Sequence, residues 1–290
     1  MSVIIGDEGG IAIDAESTYG TAGAGKIWQH PISADMVPVK PLIKPNILGV
    51  APRRKLYGVG HSAGEIAVAM DESRAVTGDL FAHFGNLTTN DYLIGSGAAA
   101  DVDSLTVWSD LGGYLMQYTG FVGNLLRKTI QADQEVMLSF NGLAREGTKE
   151  TTVTITAPDE TDILMESDLT GSILVGGANM CILGMTVEVN WETVAADRHC
   201  IGSSNPKQFR RVGVPLITGS LDLELSGDTG ADSIAELAKF LASNAIGDVV
   251  VDNTSISGAW MTGDFPTLSP GITAFTLNFE ANTWIETTTA

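Results

Sequence analysis

The sequence predicts a mainly β protein, all-β or α+β, and three observations carry that expectation. Apolar and polar residues alternate strictly in many short runs, helical spacing appears only twice, and turn-rich stretches separate the runs. Taken in order, the runs place Ile66, Val68 and Met70 on one face, then Val136, Leu138 and Phe140. Next, Met185, Val187, Val189 and Trp191 alternate with Thr186, Glu188, Asn190 and Glu192. Leu221, Leu223 and Leu225 alternate with Asp222 and Glu224, and Phe275, Leu277 and Phe279 with Thr276, Asn278 and Glu280. A strand points successive side chains to opposite faces, so each run buries one face and leaves the other wet. That is the pattern of antiparallel sheets.

The two helical stretches are short. Val76, Leu80 and Phe84 share a face between Ser73 and Phe84, and Gly85 supplies a stop. Ser233 and Glu236 form a capping-box pair ahead of Ile234, Leu237, Ala238 and Leu241, which fall on one helical face. Turns are signalled by Gly95-Ser96-Gly97 and Pro158-Asp159. Residues 86–110 show weak periodicity and read as a long loop.

Laid side by side, the halves of the chain repeat an order of features. Arg53-Arg54 and Arg210-Arg211 each follow a nearby proline and lead to a glycine, Gly64 or Gly219, that opens an alternating strand and then a helix. Thr119-Gly120 and Thr262-Gly263 each precede a later strand. The expected division is 1–158, including an N-terminal arm, and 159–290.

Of the 290 residues, 44% are hydrophobic and 18% charged, a globular composition. No unbroken apolar segment is long enough to cross a membrane, and the N-terminus has no secretory pattern, so folding in a cytoplasm is expected. Cys181 and Cys200 are too few for a disulfide framework, and no Cys/His spacing suits a metal; no cofactor is expected. Acidic residues outnumber basic ones 35 to 16, giving a formal net charge of -19. Such a chain repels nucleic acid at long range, which disfavours gripping DNA and leaves two readings: simple solubility, or a surface that faces DNA without holding it. The Arg53-Arg54 and Arg210-Arg211 pairs read as partners for carboxylates within the subunit or across an interface. The five tryptophans have no stacking-platform spacing and read as packing residues.

Two motifs imitate catalytic ones. Gly60-His61-Ser62-Ala63-Gly64 matches the G-x-S-x-G elbow and, with Glu65, is similar to the active-site serine of acyl-carrier acyltransferases. An elbow needs a buried strand before it and a helix directly after. Here Arg53-Arg54-Lys55 approaches it and a strand pattern follows. Gly20 to Lys26 is nearly a phosphate loop, but Ile27 stands where a metal-binding Ser or Thr belongs, and no apolar strand precedes it. No catalytic residue is expected.

Several stretches resemble the tail tube family of long-tailed phages. Glu16-Ser17-Thr18-Tyr19-Gly20-Thr21 resembles that family's opening, a Glu followed shortly by Tyr-Gly-Thr. Tyr118 to Leu125 resembles its tyrosine-to-glycine turn into a strand, continued by Gln134 to Phe140. Ile201-Gly202-Ser203-Ser204, Arg210-Arg211 and Thr218-Gly219-Ser220-Leu221 are similar to a tube strand pair around a Gly and an Arg, and Pro270-Gly271-Ile272 to Phe279 is similar to the closing strand.

The resemblance implies two tandem β-sandwich units, each with a flanking helix, whose inner strands join into a ring-wide β-barrel. It implies a virion structural protein that self-assembles into stacked rings, the conduit for DNA ejection, built in the host cytoplasm around a tape-measure protein. Terminator and tip proteins would cap the ends, and double-stranded DNA would pass without sticking. No membrane is involved. Two units per chain would make each ring a trimer with pseudo-six-fold symmetry, a hexamer being the second choice. Glu188, Glu192, Asp222 and Glu224 are the candidate lumen-lining acids, and Arg53, Arg54, Arg210 and Arg211 the candidates for ion pairs between subunits. The alternatives are a type VI secretion-like inner tube, a decoration module, and an acyltransferase or esterase using Ser62.

Overall fold

A computed structural model describes residues 9–23, 27–29, 31–39, 42–43, 58–59, 63–73, 77–88, 90–95, 104–111, 115–150, 163–196, 208–224, 233–262 and 274–287. The first half runs β1 (Gly9–Ala15), β2 (Ile27–Gln29), β3 (Pro31–Val39), β4 (Leu42–Ile43), β5 (Gly58–Val59), β6 (Ala63–Asp71) and α1 (Thr77–Phe84). It continues with β7 (Gly85–Leu87), β8 (Asp91–Ile94), β9 (Leu105–Leu111), β10 (Leu115–Gln131), β11 (Met137–Ala144) and β12 (Glu146–Glu150). The second half runs β13 (Ile173–Val175), β14 (Ala178–Asn179), β15 (Ile182–Asn190), β16 (Thr193–Ala196), β17 (Phe209–Val212), β18 (Leu216–Glu224) and α2 (Ser233–Ser243). It ends with β19 (Ala245–Val251), β20 (Thr254–Thr262), β21 (Ala274–Ala281) and β22 (Thr283–Thr287).

The fold is mainly β, and among the described residues all the strand pairings are antiparallel. One long sheet crosses both halves in the order β3–β6–β11–β10–β15–β18–β21–β20. The seam between halves is the β10–β15 pairing, with Arg127 opposite Glu188 and Lys128 opposite Val187. The first part of β10 belongs to another layer, β2–β1–β9–β10–β12. The first part of β20 does the same in β14–β13–β19–β20–β22, to which β8 and β7 add on the β22 edge.

The pairing pattern of the first half therefore recurs in the second and keeps one of its irregularities, although the β10 bulge between Gly123 and Leu125 has no counterpart in β20. A bulge in β3 between Pro31 and Ser33 is matched by one in β15 between Ile182 and Gly184, with Ser33↔Ala69 answering to Gly184↔Asp222. The hairpin β4–β5 (Leu42↔Val59) answers to β16–β17 (Thr193↔Val212). Gly120 and Gly258 occupy corresponding bends at φ 64° and 65°, a left-handed conformation that favours glycine. In this register Gly64 corresponds to Ile217, so Gly64 and Gly219 lie in corresponding strands two residues apart. Ile163 and Met165 bridge to Ser73 and Glu135, so the start of the second segment packs on the first half.

The apolar stripes converge on one core. Ile66, Val68, Met70, Leu138, Phe140, Val187, Val189, Leu221, Leu223, Leu277 and Phe279 are all buried in it. Leu80 and Phe84 of α1 join them, while Val76 lies outside the described residues. In α2 Phe240 is buried and Leu241 packs against the core as expected. Ala238 faces solvent, which corrects that part of the expected face, and the side chains of Ile234 and Leu237 lie outside those described. Residues 86–110 are not one loop. They contain β8 and β9, and β9 lacks alternation because both its faces are buried: Thr106, Trp108 and Asp110 are as enclosed as Leu105 and Val107.

Candidate functional site

The wet face of the long sheet runs across both halves of the chain. In the second half it carries Glu188, Asp222 and Glu224, each preceded along its strand by a residue that points into the core, Val187, Leu221 and Leu223. Glu192 is exposed at the bend between β15 and β16, beyond the strand end. Glu188 is already engaged. Arg127 across the seam makes an ion pair with it, and Thr218 Oγ1 donates to its Oε1 at 3.3 Å. Asp222 accepts from Thr276 Oγ1. In the first half the same face carries Glu65, Asp71 and Asp35 around smaller residues, and Ala67, Ala69 and Ser139 floor a shallow depression beside Arg127 and Asp35.

Of the candidate arginines, Arg53 and Arg54 lie outside the described residues, and Arg210 is half-buried. Arg211 cannot meet a neighbouring subunit, because it is 4% exposed. Its guanidinium lies 4.2 Å from the Trp191 ring and 4.7 Å from that of Phe84. Its Nε donates to Gly123 O at 2.6 Å and its Nη2 to His83 O at 2.8 Å, close to the end of α1. Burial lowers its pKa to about 9, so it stays charged at neutral pH, where stacking and two carbonyl dipoles favour the cation. The sequence expectation fails because the doublet sits in a strand: alternation sends Arg211 inward with Phe209 beside it on the same face.

Two buried charge centres escaped the sequence reading. Lys128 interrupts the apolar stripe of Leu126 and Ile130 and is fully buried. Its Nζ lies 2.9 Å from Glu286 Oε2 and 3.1 Å from Glu72 Oε2, so it ties β10 to β22 across the halves. Glu286 also accepts from Thr254 Oγ1 at 2.9 Å and Trp284 Nε1 at 2.7 Å. Burial opposes the charge of Lys128, but Glu286 and Glu72 outweigh it and hold the ammonium above its ordinary range. Glu72 is itself raised, by burial first, with Lys128 pulling the other way and Glu286 adding to the rise.

The second centre gives the opening motif a physical meaning. Glu16 is buried and accepts from Gly20 N at 2.6 Å, Gly120 N at 2.8 Å, Thr106 Oγ1 at 2.7 Å and Ser104 Oγ. One carboxylate thus pins the N-terminal segment to the bend at Gly120. Tyr19, three residues on, takes the Phe209 N–H on its hydroxyl at 2.9 Å, and burial pushes its pKa up to about 12.

Neither imitation of a catalytic site finds its context. Ser62 lies outside the described residues, but β6 follows at Ala63, a strand where an elbow requires a helix. Gly20 and Gly23 spend their N–H groups on Glu16 and Thr106 Oγ1. Among the described residues no cluster of His, Cys, Asp and Glu could hold a metal, and no helix is long and apolar enough to cross a membrane.

No curated protein matches the chain. The family model described as phage tail tube protein matches residues 6–281, nearly the whole length, and so includes the Glu16 centre, both hairpins and the entire long sheet. The chain belongs to the phage tail tube protein family.

Proposed function

We propose that this structural protein of the phage tail assembles into stacked rings, three copies to a ring, that form the tube through which DNA leaves. The observation that carries the reading is the recurrence of one pairing pattern along a single sheet, β3–β6–β11–β10 and then β15–β18–β21–β20. Each run is one tube unit, residues 1–158 and 159–290, and three chains supply six. Linking two units covalently raises the effective concentration of the second and lowers the association cost of closing a ring. Continuing the sheet from copy to copy would close it into a barrel and remove its exposed edges.

The wet face then lines the lumen, with Glu188, Asp222 and Glu224 along it and Glu192 at its rim. Carboxylates repel the phosphate backbone and offer it nothing to grip, so the duplex slides. Arg53, Arg54 and Arg210 remain candidates for ion pairs between copies. Assembly proceeds in the host cytoplasm around a tape-measure protein, with terminator and tip proteins at the ends, and needs no cofactor. Negative-stain microscopy of the purified protein tests this: rings or filaments with a central channel are expected, and a protein that stays monomeric at high concentration would contradict it.

A further inference from the structure

The chain contains a complete joint between two units and, at its two ends, the matching halves of another. In the complete joint β10 pairs with β15, Leu125 standing opposite Asn190. The hairpin β16–β17 reaches back over β10, where Phe209 covers Val122 so that Val122 is fully buried. Carried through the repeated register, Leu125 corresponds to Thr262, Val122 to Trp260, Asn190 to Val39, and the hairpin β16–β17 to β4–β5. Among the described residues these counterparts are unfilled within one copy. Among the described residues β3 pairs with β6 alone, and Thr262 pairs with Asn278 alone. Trp260 is 53% exposed where Val122 is buried.

We propose that a second copy of this chain lays its β3 edge along the end of β20 and its β4–β5 hairpin over Trp260, with Val39 of the incoming copy opposite Thr262. The proposal rests on the ring assembly above and adds to it the surface and the register. A second copy is the occupant because the chain already shows how the same backbone fills this place, down to the bulge and the hairpin. The two joints differ in chemistry. Gly58 stands where β17 has Arg211, so among the described residues the stacked guanidinium that locks the internal joint has no counterpart between copies. The internal joint is therefore set on folding, and the outer one forms by strand pairing and by cover of an exposed indole.

The test is the Val39→Cys/Thr262→Cys double variant of the full chain, assembled and oxidised, since directly opposed strand residues lie within disulfide reach. Cross-linked species absent from either single variant are expected, ending at the number of chains in one ring. Wild-type tubes alongside a double variant that assembles but cross-links no more than the single variants would overturn the joint and leave the tube reading standing. Failure of the wild type to form tubes would overturn that reading itself. If the double variant does not assemble, amide exchange on wild-type tubes decides. The amides of β3 should slow at least about 100-fold relative to unassembled protein, as newly made ladder bonds do. Unchanged exchange would contradict the proposal. Slowed β3 exchange with a double variant that assembles but does not cross-link would assign the edge to another segment and overturn it equally.

Discussion

The two halves bend β10 and β20 in the same place and hold the bend in different ways. At Gly120 the backbone N–H goes to Glu16, a buried carboxylate delivered from the N-terminal segment that collects three other donors. At Gly258 it goes to Asp248 at 3.2 Å, an exposed residue of the adjacent strand β19. The wet faces diverge as well, Ala69 answering to Asp222 and Ala67 to Ser220. What both halves keep is what the backbone requires: the left-handed glycine, the bulge and the buried stripe. Side chains that only have to satisfy a donor, or face water, are free to differ.

The largest expected effect lies where the halves are tied together. Lys128→Met should cost about 3–5 kcal/mol by leaving two buried carboxylates without their cation. Lys128 is held above its ordinary pKa, so its contribution is complete at neutral pH and lost only in strong alkali. Glu72 is raised, so its ionisation counts against the fold as pH climbs out of the acid range. With the lysine gone, the loss measured by urea unfolding should therefore be smaller at pH 5 than at pH 7.5. A pH-independent loss would mean that the triad is not the source.

The next effect sharpens the contrast between the two bends. Glu16→Ala orphans several buried donors at about 1–3 kcal/mol each, and with water partly replacing the carboxylate a loss of roughly 2–3 kcal/mol is expected. Asp248→Ala releases one exposed bond and should cost less than about 1 kcal/mol. Equal losses in thermal or urea unfolding would show that the bends are held alike after all.

Smaller still in stability is the wet face. Replacing Asp222 and Glu224 together by Lys should permit tubes, yet slow DNA ejection and make it more salt-dependent, because the screened attraction to phosphate is then lumenal. Ejection unchanged at low salt would place these acids elsewhere. Ser62→Ala should change neither assembly nor stability. Labelling of Ser62 by a fluorophosphonate probe, lost in that variant, would restore the catalytic reading.

Alternation made β6, β11, β15, β18 and β21 of the long sheet legible in advance, because each has one dry face and one wet one, whereas β3, exposed at every residue from Ile32 to Asp35, shows no such run. β9 was illegible for the converse reason, since a strand buried on both sides carries no period-two signal, and Trp108 and Asp110 read as loop residues. Arg211 and Lys128 are charges that a sequence reader assigns to the surface, and only the packing shows them inside. The glycines and arginines that suggest a repeat do not mark the register of the pairing pattern: Arg53 and Arg54 lie outside the described residues, Arg211 answers to Gly58, and Thr262 answers to Leu125 and not to Thr119. Gly64 and Gly219 miss each other by two residues because the true markers, the bulges at Ile32 and Leu183, are backbone events without a residue signature.

The central claim is that one chain carries two tube units, and the symmetry of a tube reconstructed by cryo-electron microscopy tests it most directly. The account predicts rings of three chains, with six similar lobes that alternate between the first and the second unit of the chain. Rings of six chains would contradict it: the tube function would survive, but the duplication would no longer describe how the ring is built.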